Sequence, residues 1–294
     1  MKYSGCANGM GAGPQSNKGA LHNGVRALTS WIMKRFIPFL KKSPLVPVIR
    51  LQGGIGTGRN ALSDAGLAPV IEKAFRLKPA ALALVINSPG GSPVQSSLIA
   101  ARIRRLAAEK GVKVYAFVED VAASGGYWLA CAGDEIWVDD SSILGSIGVI
   151  FASFGFPELM ARQGIERRVV AAGKSKSLAD PFLPQKTEDI DRLRALQAPI
   201  HQAFIAYVKA RRGNRLAEAD LFNADVWVGQ GAVDLGLADG VAHLVPKMKA
   251  VFGDKVRLVP LGQKRGLLAR FGLSMAEDLM QSVEDRALMA RYGL

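Results

Sequence analysis

Histidine and cysteine are scarce in this chain: 294 residues carry three histidines and two cysteines. Two thiols, Cys6 and Cys131, are too few for a disulfide framework, and Cys131 falls in an apolar run that predicts a buried thiol. A reducing compartment fits this better than a secreted setting. A Ser-His-Asp triad has little to draw on. His22 lies in a low-complexity leader, His201 among Ile200, Phe204 and Ile205 on a helical pattern, and His243 beside Ala242 and Leu244. Acidic residues are also outnumbered, 25 against 38 Lys and Arg, for a formal net charge of +13. That balance suits nucleic acid or an anionic membrane surface. The basic residues are scattered, with neither zinc-finger spacing nor an RNA-binding aromatic motif, so the membrane surface is the expected partner and nucleic acid is not.

Almost half the residues are apolar, which allows a sizeable core in one large domain or two small ones. Residues 1–24, rich in Gly, Asn, Ser and Ala without an apolar period, read as a disordered leader. Residues 25–43 form a basic amphipathic segment. It is too short and too charged to span a membrane, which takes roughly 20 predominantly apolar residues, and it lacks a signal-peptide cleavage site. Trp31, Phe36, Ile37 and Leu40 interleaved with Lys and Arg suit an interfacial helix on anionic lipid, or a leader docked on its own protein. Met33 is a second candidate start. The expected location is therefore peripheral to a membrane, or cytoplasmic.

From residue 44 to 262 the pattern alternates. Strands are expected at 46–51, 81–86, 112–118, 135–138, 166–171 and 255–260. Helices are expected at 67–77, 94–110, 157–163, 187–212 and 241–251, with short ones at 216–221 and 232–235. The cadence predicts an α/β domain with a parallel sheet, and ligand sites in such sheets lie beyond the carboxyl ends of the strands. Residues 263–294 read as a separate amphipathic helix or tail. No internal repeat is present.

Two glycine-rich stretches close strands at those ends. Val121-Ala122-Ala123-Ser124-Gly125-Gly126-Tyr127-Trp128 places a serine between small residues where a strand meets a helix, the setting of an exposed nucleophile. It also fits a helix N-cap serine in a tight turn. Ser88-Pro89-Gly90-Gly91 offers amides that approach a ligand unhindered; with the Gly125 amide it makes a candidate oxyanion hole of Gly90, Gly91 and Gly125. A lysine can replace histidine as the base where burial favours the neutral amine; the candidates are Lys174 and Lys176, which otherwise read as two exposed loop lysines.

Taken together, these stretches are similar to motifs of the signal peptide peptidase A family, the S49 serine proteases. Asn87-Ser88-Pro89-Gly90-Gly91 resembles the family's oxyanion loop and Ala122-Ala123-Ser124-Gly125-Gly126-Tyr127 its nucleophile motif. Leu144-Gly145-Ser146-Ile147-Gly148-Val149 and Gly173-Lys174-Ser175-Lys176-Ser177, followed by Asp180-Pro181-Phe182, complete the set. The resemblance runs from about 46 to 249 and implies a Clp/crotonase-like fold of repeated β-β-α units. It assigns Ser124 as nucleophile, Lys176 as general base, Ser146 as the hydroxyl orienting the lysine, and Gly91 and Gly125 as oxyanion donors. It needs no cofactor or metal. It implies a serine endopeptidase acting on hydrophobic peptides, such as signal-peptide remnants, through an acyl-enzyme. As a single-copy form, the chain is expected to build a homo-oligomeric ring in which the lysine of one subunit meets the serine of its neighbour. Two other readings stay open: a crotonase-type acyl-CoA hydratase or isomerase, with Glu119 and Asp120 as the only nearby acids, and an inactive ring-forming membrane scaffold.

Overall fold

The structure, a computed structural model, describes residues 43–56, 61–173, 175–262 and 289–294. The expectations for residues 1–24, 25–42, 263–288 and Lys174 lie outside these.

Alternation along three neighbouring strands builds the two faces of the sheet. β1 (Leu45–Gln52), β2 (Ala81–Ser88) and β3 (Lys113–Ala123) run parallel, with Val48 beside Ala83 and Ala83 beside Tyr115. Ile49, Leu51, Leu82, Leu84, Ile86, Val114 and Ala116 enter one core, whereas Val46, Val48, Ala83, Val85, Tyr115 and Phe117 enter the other. Successive side chains on a strand must point to opposite faces, so a near-continuous apolar run feeds both cores at once. Every residue of β2 is buried accordingly.

Five shorter strands extend the sheet. β4 (Glu135–Val138) pairs with β3 at Tyr115–Phe117, and β5 (Ile143–Gly145) pairs with it further on at Val121–Ala123. β6 (Val226–Val228) runs antiparallel to β5, while β7 (Gly240–Val241) and β8 (Arg257–Leu261) lie parallel to β4 and β1. The sheet is thus mixed and mostly parallel, as the sequence cadence predicts. On the first face lie α1 (Asp64–Arg76), α2 (Pro93–Lys110), α3 (Gly125–Ala130) and α5 (Thr187–Arg212); α7 (Leu244–Phe252) packs Met248 on the second. Two short helices, α4 (Pro157–Arg162) and α6 (Gly229–Asp234), complete the set among the described residues. Ser63 caps α1 by accepting the Gly66 N–H, and Ser92 caps α2 by accepting that of Gln95, with Pro93 at the first helical position.

Three segments differ from expectation. β3 continues past 118 to Ala123 because β2 and β5 both supply it with partners there. Residues 166–171 form no strand, since no neighbouring edge pairs with them, and Val170 is wholly exposed. Residues 216–221 form no helix; Ala217 N–H instead donates to the Leu235 carbonyl.

The end of α5 is fastened by charge. Arg212, 2 % exposed, donates to Asp239 (2.7 Å) and to the Gly236 carbonyl (2.8 Å). Arg215 reaches the same carboxylate, while Arg104 and Arg211 meet Asp134. Burial alone raises the Asp239 carboxyl, but the Arg212 hydrogen bond, the Ile136 N–H and the two guanidinium charges outweigh it and leave it below 3.8. Asp134 is lowered in the same way against its own burial, by the Val114 N–H and by Arg104 and Arg211. Arg212→Ala removes the buried partner of Asp239, leaving it Arg215 and the Ile136 N–H, and is expected to cost up to about 3 kcal/mol in chemical denaturation. Because both carboxyls are depressed on folding, their contribution is complete above 3.8 and is lost as pH falls through their lower folded values. Stability should therefore drop below about pH 4, less steeply in Asp239→Asn, as read by thermal melts at graded pH.

Cys131 is fully buried, as its apolar run predicts. Burial pushes its thiol up to about 12, against the opposing charge of Arg212, so it stays protonated at neutral pH.

Candidate active site

Ser124 stands where β3 ends and α3 begins, with φ 52° and ψ −120°. A positive φ costs a non-glycine residue about 1–3 kcal/mol, and such outliers gather at functional turns. Three backbone bonds hold the turn: Ser124 N–H donates to the Gly145 carbonyl (2.8 Å), and the Tyr127 and Trp128 amides donate to the Ser124 carbonyl. The side chain makes no capping bond. Ser124 occupies the N-cap position without using its hydroxyl as a cap.

Opposite it lies the loop that ends β2. Gly91 (φ 141°) takes a conformation side chains rarely adopt, and a Cβ there would lie 2.1 Å from the Ile55 carbonyl oxygen. Gly90 (φ 105°) passes so close to the nucleophile turn that a Cβ would lie 2.9 Å from both the Gly125 nitrogen and the Ser124 Cβ. Ile55 N–H donates to the Gly90 carbonyl, and Ser92 N–H donates to the Ile55 carbonyl. This parallel bridge turns the intervening Gly91 N–H away from Ile55. Gly125 supplies the first amide of α3, beyond reach of any intrahelical carbonyl. Gly91 and Gly125 are the two residues that the sequence reading assigns as donors. Gly90, expected as a third, gives its N–H to Ser88 Oγ (3.3 Å), so its part is to let the loop pass close.

Ser88 carries a role that motif reading missed. Fully buried, its hydroxyl donates to the Gly53 carbonyl (2.7 Å) while accepting from Gly90. Its own carbonyl oxygen would lie 2.3 Å from a Cβ on Gly126. One residue thereby fastens the Gly90–Gly91 loop to the turn after β1 and lies close against the Ser124 turn.

The β3–β5 register, Ala123 beside Gly145, brings Ser146 to the same end of the adjacent strand. Ser146 shares the positive φ (50°), and its N–H donates to the Asp225 carbonyl (2.7 Å). Lys176 is not among the residues that line the cleft beside Ser124, and no hydrogen bond joins the two among the described residues. It lies exposed in the turn after Gly173, and its amine has no partner among the described residues. Neither described histidine bonds Ser124: His201 Nε2 meets the Ile147 carbonyl (2.9 Å), and His243 pairs with Asp139 (2.8 Å). Glu119 pairs with Arg50, and Asp120 accepts from Asn87. Both acids line a cavity with Phe117 and His243, apart from the cleft that Ser124 lines, and so stand away from the candidate hole.

The model of "Peptidase family S49" matches residues 107–249. The Na(+)/H(+) antiporter NhaA of Brucella melitensis is 49% identical over 287 residues, 90% of this chain but 39% of that protein. The chain thus spans about two fifths of that relative, whose name describes a larger whole. The chloroplastic serine protease SPPA of Arabidopsis thaliana is 29% identical, over 74% of this chain and 34% of its own length. Among solved structures, a lysine-to-alanine form of a membrane-bound stomatin-specific protease, in complex with a substrate peptide, covers 80% of this chain and 99% of its own. Its TM-score is 0.51 at 15% identity, a likeness of fold. No helix among the described residues is long and apolar enough to cross a membrane.

Proposed function

Because the chain belongs to peptidase family S49, we propose that it is a serine endopeptidase in which Ser124 attacks extended, apolar peptides. The observation that carries this reading is the Ser124 hydroxyl, without a hydrogen bond among the described residues, on a strained turn packed closely against the Gly90–Gly91 loop. The Lys176 amine takes the Ser124 proton as Oγ adds to the scissile carbonyl. The negative charge developing on the carbonyl oxygen is held by the Gly91 and Gly125 N–H groups. The ammonium then gives its proton to the leaving amine, and an acyl group remains on Ser124. Water, deprotonated by the same amine, releases the acyl group and restores the serine. Ser146, at the neighbouring strand end, orients the amine.

Lys176 reaches Ser124 from a second copy of the chain, arranged in a ring. Its exposure without a partner supports this. So does the segment around it, which leaves Phe151, Phe154, Leu159, Ile165, Val170 and Phe182 exposed; apolar surface gathered in this way marks an interface. Substrates are peptides with hydrophobic segments, such as signal-peptide remnants, met at an anionic membrane surface.

Hydrolysis of a fluorogenic hydrophobic peptide tests the assignment of the base. Lys176→Ala should abolish turnover and Lys174→Ala should retain it; the reverse outcome moves the base to Lys174. The same assay reads the tie at Ser88. Ser88→Ala frees the Gly90 peptide to rotate, and kcat should fall by about 10- to 100-fold with KM changed less than about twofold. A matching rise in KM with kcat intact would place Ser88 in substrate binding instead.

A further inference from the structure

Along most of their length β2 and β3 pair residue for residue, from Ala81 beside Lys113 to Ile86 beside Val118. The next pair is Ser88 beside Ala122, so β2 advances two residues while β3 advances four. The surplus falls at Glu119 and Asp120, a bulge that lengthens β3 just before the Ser124 turn. Because the surplus is even, Val118 and Ala122 still face the same core. At the same place β3 changes neighbours, from β4 at Tyr115–Phe117 to β5 at Val121–Ala123. A bulge leaves ladder groups unpaired, and side chains from three directions hold this one. Ser142, 1 % exposed, donates its hydroxyl to the Glu119 carbonyl (2.5 Å) and accepts the Asp139 N–H (2.9 Å). Arg50 of β1 donates to the Glu119 carboxylate (2.8 Å). Asn87 of β2, 7 % exposed, donates its side-chain amide to the Asp120 carboxylate.

The last of these bonds joins the two halves of the candidate site. Asn87 opens the Asn87-Ser88-Pro89-Gly90-Gly91 loop, and its carbonyl accepts the Gly53 N–H (2.9 Å). Asp120 stands four residues before Ser124. Packing alone does not account for the pair. Asn87 Oδ1 is buried with no partner among the described residues, a cost that an apolar side chain would avoid. The carboxylate fixes which way the amide lies, since a reversed amide would turn Oδ1 toward it. We infer that Asn87 and Asp120 are positioning residues for the reaction proposed above, on which this inference rests. Their bond fixes the bulge, and the bulge sets the reach from Ser124 to the Gly90–Gly91 loop. A misplacement of about 1 Å between reacting groups can cost about 100-fold in rate.

The test uses the assembled full chain, a fluorogenic hydrophobic peptide and a small fluorophosphonate. Asp120 is exposed, so Asp120→Ala removes the bond without opening the core. Its kcat should fall about 10- to 100-fold with KM changed less than about twofold, and labelling of Ser124 should slow in proportion. Asp120→Asn, whose amide oxygen can still accept from Asn87, should keep kcat within about threefold of wild type. Asn87→Ala should match Asp120→Ala, and the double variant should be no slower than either, because both remove one bond. A merely structural bond would lower the thermal midpoint of Asn87→Ala and leave kcat at the wild-type value, which overturns the inference. Additive losses in the double variant, or Asp120→Asn as slow as Asp120→Ala, overturn it too. Each of these results, in a protein whose wild type cuts the peptide, leaves the peptidase reading standing. If the wild type neither cuts the peptide nor takes the label at Ser124, that reading falls and the inference with it.

Discussion

Ser124→Ala is expected to lower peptide hydrolysis by about 10⁴- to 10⁶-fold while the protein stays folded. The size of the loss follows from the chemistry: without Oγ no acyl-enzyme forms, and what remains is the hole and the bound substrate acting on water. That the fold survives follows from the geometry. The hydroxyl caps nothing, and the turn is held by the Ser124 backbone through Gly145, Tyr127 and Trp128. Alanine keeps all three bonds and the same strained φ. Thermal midpoint and far-ultraviolet circular dichroism should therefore match the wild type while turnover disappears. An active Ser124→Ala protein would remove the serine from the mechanism.

The second large effect concerns where the base comes from. Ser124→Ala and Lys176→Ala should each be inactive alone, yet regain activity when unfolded together and co-assembled. In a ring whose interfaces run head to tail, a site works when its own serine and its neighbour's lysine are both intact, which equal mixing gives at about one site in four. If the lysine served the serine of its own chain, no mixed particle would hold a working site. Recovery near one quarter of the wild-type rate therefore supports supply from the neighbour, and none in a verified mixed assembly contradicts it. The exposed Lys176 turn and the apolar side chains around it are what this experiment interprets.

The sequence carried the framework well because burial on both faces leaves a visible trace. Ala81–Ser88 is wholly buried and reads as an apolar run, and the expected 187–212 helix matches α5 (Thr187–Arg212). Glycines marked the two loops of the candidate site, since close backbone approach demands them at Gly90 and Gly91. What stayed hidden depends on partners distant along the chain. The end of β3 at Ala123 is fixed by β5, and Arg212 finds Asp239 only once α5 lies beside the strands. The expected strand at 166–171 shows the converse, an extended apolar pattern with no edge to pair with. The bonds of Ser88 also escaped, because one small hydroxyl between Gly53 and Gly90 leaves no periodic signal. The hydroxyl of Ser124 was legible as either cap or nucleophile, and the absence of a capping bond from it could not be read from the sequence.

The reactivity of that hydroxyl can be read directly from the intact mass of the protein after exposure to an acylating serine-protease inhibitor. One adduct per chain, mapped to Ser124, absent in Ser124→Ala and strongly slowed in Lys176→Ala, is the expected result. An assembled wild-type protein that takes no adduct, or takes it at another residue, would contradict it.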